Sequence, residues 1–201
     1  MTLHELDEYF RSFLNLEQYP GDPSLNGIQV ENRDPAGTEI KRVAFAVDAC
    51  QETIQRAAAA GAQLLFVHHG FFWGQCQTIT GAHGKRIRTL FDYDMALYAC
   101  HIPLDANALV GNNYGLAQRL ELQSLEPFGD WHGMTIGVGG ALEQPLSASE
   151  VVKKAFSCRR TTSPCASLWA RSNQAGCDSV WWCCKRIEPS YRAGLRCLYY
   201  W

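Results

Sequence analysis

The sequence carries little excess charge of either sign. Its 18 lysines and arginines against 20 aspartates and glutamates leave a formal charge of -2. A phosphate backbone meets no basic field here, so nucleic acid is not expected as an electrostatic partner. Long apolar runs are also missing. Nothing approaches the roughly 20 residues that a membrane-spanning helix needs, and no membrane partner is expected. The opening MTLHELDEYF is acidic and amphipathic, without the basic and apolar regions of a secretory leader. A cytoplasmic protein is the expectation. Cysteine is sparse through most of the chain: Cys50, Cys76 and Cys100 stand far apart in the first 157 residues, in no metal-ligand spacing. A secreted disulfide framework would be spread through a small domain.

What is present, up to about Phe156, is a legible alternation of helices and strands. Thr2 and Glu5 have the spacing of a capping box, and Leu3, Leu6, Phe10, Phe13 and Leu14 mark one face of the helix that follows. YPGDPSLNGIQVEN reads as a turn-rich loop. Strands are expected at 42–48, 63–67, 95–101 and from 135, and helices at 52–62, 84–94, 112–122 and 147–156. This order predicts an α/β fold with a mixed, largely parallel sheet flanked by helices.

Past Ser157 the pattern collapses. The remainder has no histidine, no phenylalanine and two acidic residues, yet it holds four of six tryptophans and six of nine cysteines. No helical or alternating period survives there, so no fold is assigned to it. A Cys-rich appendage is one reading. The favoured one is a frame-shifted tail, with residues 1–156 as an incomplete α/β metal-binding domain and 157–201 as no native domain.

Chemistry concentrates in two clusters. LLFVHHGFFWG (64–74) ends an apolar strand on His68 and His69. Successive strand residues point to opposite faces, so the pair is expected to share a site only if the strand stops there and the backbone turns. Gly70 is read as supplying the turn angles. YACHIPLDANALVGNN (98–113) places His101 and Asp105 around Pro103. Ends of neighbouring parallel strands are where open α/β sheets place their sites, so the clusters are expected to meet. Fully extended, His101 and Asp105 would stand about 13 Å apart. Either the chain bends at Pro103 or one of the two serves outside the ligand shell. Asp105 is favoured as ligand, with His101 as proton donor or outer partner.

Other features carry less. GAHGKR (81–86) lacks the spacing of a phosphate loop and is read as a loop leading into a helix. His4 is assigned to a helix surface and His83 and His132 to loops; Asp48, at the end of its strand, is read either as lining the same cleft or, the favoured reading, as the cap of the next helix. The Phe71–Phe72–Trp73 run is read as packing that could also stack a flat ring.

With SLNGIQVEN, VHHGFFWG and YACHIPLDANALVGNN in this order, the chain resembles the type-2 homologues of GTP cyclohydrolase I, within the wider family related to the NGG1-interacting factor. The similarity covers roughly residues 1–156. It implies an α/β protein in a toroidal homo-hexamer, with two divalent metal ions per subunit. Zinc, iron, manganese, nickel and cobalt are not distinguished. Carried over by motif, His68, His69 and Asp105 match metal ligands and His101 the accompanying catalytic histidine. The implied activity is hydrolysis, a metal-bound hydroxide attacking a small-molecule substrate such as a purine nucleotide. A non-enzymatic metal-binding scaffold is the alternative. The family's late His-x-x-x-Glu segment has no counterpart: no histidine follows His132, and Glu188 sits in no such motif. The C-terminal part of the family fold is therefore expected to be missing, with impaired activity.

Overall fold

A computed structural model describes residues 1–156, and the expectations for 157–201 lie outside the described residues. The chain divides into two units, Met1–Leu104 and the part from Asp105 onward.

The first unit is built on four strands: β1 (Gly27–Val30), β2 (Val43–Asp48), β3 (Leu64–His69) and β4 (Ala96–Ala99). Their order is β1-β4-β3-β2. β2, β3 and β4 run parallel, and β1 joins β4 antiparallel. The sheet is thus mixed and largely parallel, as the alternating elements predict. Three helices flank it: α1 (Leu3–Leu14), α2 (Gln51–Ala59) and α3 (Gly81–Asp92).

Strand alternation sorts the core into two layers. Leu64 and Phe66 of β3, with Ala96 and Tyr98 of β4, pack with Leu3 and Leu14 of α1. Leu65, Val67, Leu97 and Ala99 pack with Ile54 and Ala57 of α2 and with Ile87 and Leu90 of α3. Both faces of β3 and β4 are therefore buried, which is why these strands read as unbroken apolar runs. Thr2 and Glu5 form the expected capping box.

Three expectations change. β3 continues through His69 instead of stopping before the histidines. Gly70 does not need a left-handed backbone; it needs space. A Cβ there would lie 2.3 Å from Gln29 Oε1 and 2.6 Å from the Ala99 Cβ. His83 lies within α3, not in a loop; it is buried edge-on against Phe71 and Phe72.

The second unit holds α5 (Asn112–Arg119), β5 (Gln123–Trp131), β6 (Met134–Ala141) and α6 (Ala148–Ala155), after α4 (Ile102–Ala106) has crossed the boundary between units. β5 and β6 form an antiparallel hairpin. Its two-residue turn, His132 and Gly133, has positive φ at both positions, the geometry that matches strand twist in tight hairpins. Leu116, Leu120, Val138 and Val151 form this unit's core. No helix among the described residues is long and apolar enough to cross a membrane.

Candidate metal centre

Three chain segments end at one place in the first unit. β3 delivers His68 and His69, β4 leads into His101, and β2 ends on Asp48. These are the C-terminal ends of adjacent parallel strands, where an open α/β sheet leaves a crevice.

The three imidazoles converge. Ring centroids lie 4.6 Å apart for His68–His69, 4.9 Å for His68–His101 and 5.6 Å for His69–His101. Each offers one nitrogen, and these nitrogens lie within 4.8 Å of one another. Adjacent strand residues thus share a site without a break in the strand.

The other ring nitrogen of each histidine faces an oxygen. His68 Nδ1 is 3.1 Å from the Cys100 carbonyl, His69 Nδ1 is 2.8 Å from Asp48 Oδ1, and His101 Nδ1 is 2.9 Å from Asp22 Oδ1. A carbonyl or ionised carboxylate only accepts, so each Nδ1 carries the proton and donates it. In the neutral form of such a ring, Nε2 bears the lone pair. Ligating histidines are oriented in this way, by an oxygen behind the ring that fixes the tautomer and raises basicity. Three imidazole donors suit zinc, copper, iron, nickel or cobalt, so the residues fit a divalent transition metal.

Asp22 is the most elaborately held of these groups. Its side chain is fully buried. Besides His101, it accepts from Asn26 Nδ2 at 2.8 Å and from the backbone N–H groups of Ser24 and Ile102 at 3.0 Å. Burial pushes its carboxyl pKa up, but the hydrogen bonds from His101, Asn26 and Ser24 outweigh that and hold it below the usual aspartate value. Asn26 also accepts from the His101 backbone N–H at 2.8 Å. The loop read only as turn-rich therefore anchors His101 by both backbone and ring.

Trp73 adds a half-buried aromatic wall. Its indole N–H donates to the Gly70 carbonyl, and its ring meets His101 edge-on at 5.0 Å and His69 at 5.9 Å.

Of the residues singled out by sequence, His68, His69 and His101 are brought together. Asp105 stands in α4 at the start of the second unit, where its carboxylate accepts from Asn112 Nδ2 at 2.8 Å. The segment 102–106 is helical, so the extended alternative does not occur. Asp48 is corrected: its carboxylate holds His69, and Cys50 occupies the N-cap of α2. Asp22 and Asn26 went unassigned from sequence, because an aspartate in Asp-Pro-Ser reads as an ordinary turn residue.

A family model described as Duf34/NIF3 (NGG1p interacting factor 3) matches residues 1–184. The chain belongs to this family. The resemblance read from its three motifs is thereby borne out. This NIF3-family chain is 48% identical over 151 residues to a Treponema pallidum protein named GTP cyclohydrolase 1 type 2 homolog, covering 75% of this chain and 52% of that protein. A Deinococcus radiodurans protein of the same name is 48% identical over 146 residues, covering 73% and 54%. Among solved structures, a crystal structure of a Thermus thermophilus protein matches with a TM-score of 0.68 at 35% identity, covering 77% of this chain and 61% of that one. The chain spans about half the length of the curated relatives it matches.

Proposed function

We propose that this NIF3-family chain carries the metal centre of a hydrolase acting on a purine nucleotide or a related heterocycle. The observation that carries the reading is the set of three imidazoles, each with Nδ1 facing an oxygen acceptor and each offering one ligand nitrogen within 4.8 Å of the others. His68, His69 and His101 would hold a divalent ion. Their shared tautomer favours His101 as a ligand over the role of proton carrier. A divalent ion held there supplies Lewis acidity and draws a nucleophile from water near neutral pH.

The chain's own residues do the rest. Asp48 and Asp22 keep the rings of His69 and His101 in register. Trp73 offers a flat aromatic surface beside the same imidazoles, suited to a planar base. The substrate class rests on the name that the relatives carry, GTP cyclohydrolase 1 type 2 homolog. In that reaction, water opens the imidazole ring of the purine and formate leaves.

The test joins metal binding to turnover. Elemental analysis of purified chain, and titration with Zn²⁺ or Co²⁺, should show binding that His68→Ala and His69→Ala abolish. Metal-dependent formate release from GTP or a panel of purine nucleotides should accompany it. Metal binding without turnover would favour a non-enzymatic metal-binding scaffold, and absence of metal binding would remove the reading altogether. The assignment of Asp105 as a ligand is tested by the same titration on Asp105→Asn.

A further inference from the structure

β1 pairs out of step with β4. Gly27 lies opposite Ala99 and Ile28 opposite Tyr98, but the next β4 position, Leu97, is met by Val30. Gln29 is thus an extra residue, a β-bulge. Residues two apart in a regular strand share a face, yet Ile28 packs against the α1 layer and Val30 within the α2–α3 layer. The bulge turns the strand over and frees Gln29 from the alternation. Such irregularities re-aim a side chain and recur beside sites of function.

The side chain so aimed lands on the segment that follows the histidine pair. Its Oε1 accepts from the Phe71 backbone N–H at 2.6 Å, and its Nε2 donates to the Leu25 carbonyl at 2.9 Å. The Leu25 N–H in turn donates to the Phe72 carbonyl at 3.0 Å. Gly70 leaves room for this amide, since a Cβ there would fall 2.3 Å from Gln29 Oε1. The same loop also holds the segment that carries His101. Asn26 accepts from the His101 N–H, and Asp22 accepts from the His101 ring and the Ile102 N–H. The stretch 22–29 is therefore a brace with one end on each imidazole-bearing segment.

We propose that Gln29 is a positioning residue of the metal centre, the pin that fixes His68 and His69 at their spacing from His101. It acts through Gly70 and Phe71, the backbone that leaves β3 immediately after His69. Imidazole nitrogens bind such ions at about 2 Å, so a small drift of one segment against the other takes a donor out of reach. The proposal rests on the reading of the three imidazoles as a metal site and adds to it a residue assigned neither as a ligand nor as the support of a ligating ring.

Titration of the full chain with Co²⁺, followed by calorimetry and by the visible ligand-field bands, tests it. Gln29→Met, close in length but without either hydrogen bond, should weaken Co²⁺ binding by about tenfold and alter the bands. Gln29→Glu keeps an acceptor oxygen for Phe71 and should stay within about threefold of the parent. Ile54→Val trims the core of the same unit at a modest loss of stability; it should leave affinity and bands as in the parent. Unchanged affinity and bands in Gln29→Met, with Co²⁺ bound by the parent, would overturn the role of Gln29 and leave the metal centre standing. So would an equal loss in Ile54→Val, or a Gln29→Glu chain as weak as Gln29→Met. A parent that takes up no Co²⁺ would remove the metal reading itself, and this inference with it.

Discussion

Two histidine–aspartate pairs orient the imidazoles of the candidate centre, nearly equal in length and opposite in surroundings. His69 and Asp48 meet at 2.8 Å with the carboxylate 65% exposed; His101 and Asp22 meet at 2.9 Å with the carboxylate fully buried. Among the described residues the Asp48 carboxylate has one side-chain task, to hold the His69 ring. Asp22 has several, because the same two oxygens also receive Asn26, Ser24 and Ile102. The contact chemistry is the same. Burial makes one pair an accessory of the site and the other part of the fold as well.

The largest difference should appear in stability. Asp22→Ala strands the buried donors of His101, Asn26, Ser24 and Ile102, and is expected to cost about 3–5 kcal/mol. Asp48→Ala removes an exposed partner and should cost about 1 kcal/mol or less. Urea unfolding of the two variants beside the parent measures both. Equal losses would show that burial does not distinguish the pairs.

The same contrast explains what could be read from the chain. β3 and β4 were legible because strands covered on both faces spell continuous apolar runs, and the His68–His69 pair because adjacent imidazoles at a strand end are conspicuous. β1 was hidden: four residues opening on a glycine, inside a stretch dense in turn formers. β5 was hidden by Pro127 and Gly129, residues that argue against a strand. Asp22 was out of reach because its partner His101 lies 79 residues away, and local spacing carries no record of that contact. Gly70 was picked out correctly but for the wrong reason. A sequence shows that a side chain is absent, not whether angle or space required it.

Metal affinity should give a smaller effect and a different ranking. Orientation and basicity of a ligating ring depend on the oxygen behind it, buried or not. Asp48→Ala should therefore weaken Zn²⁺ binding about 10–100-fold, with the urea midpoint nearly unchanged. Asp22→Ala should lose affinity and stability together. Isothermal titration on folded protein makes the comparison. Undiminished affinity in Asp48→Ala would remove His69 from the ligand set while leaving His68 and His101 to be judged separately.

The smallest effect belongs to a carboxylate at the exposed extreme, in the second unit. Glu150 closes the capping box of α6 by accepting from the Ser147 backbone N–H at 2.8 Å. The Ser147 hydroxyl and backbone N–H hold its pKa below the usual glutamate value. The folded state thus binds this proton more weakly than the unfolded state. The cap's contribution is complete above the ordinary glutamate range and is lost as pH falls through the lowered value. Amide exchange at the start of α6, corrected for intrinsic rates, should show protection fading on acidification, and Glu150→Gln should flatten that dependence without moving global unfolding. Buried Val151 and Ala155 anchor the same helix to the unit's core, so acid should fray its first turn and leave the rest docked. Protection that ignores pH in the parent chain would mean the packing of those two side chains, not the cap, holds the helix start.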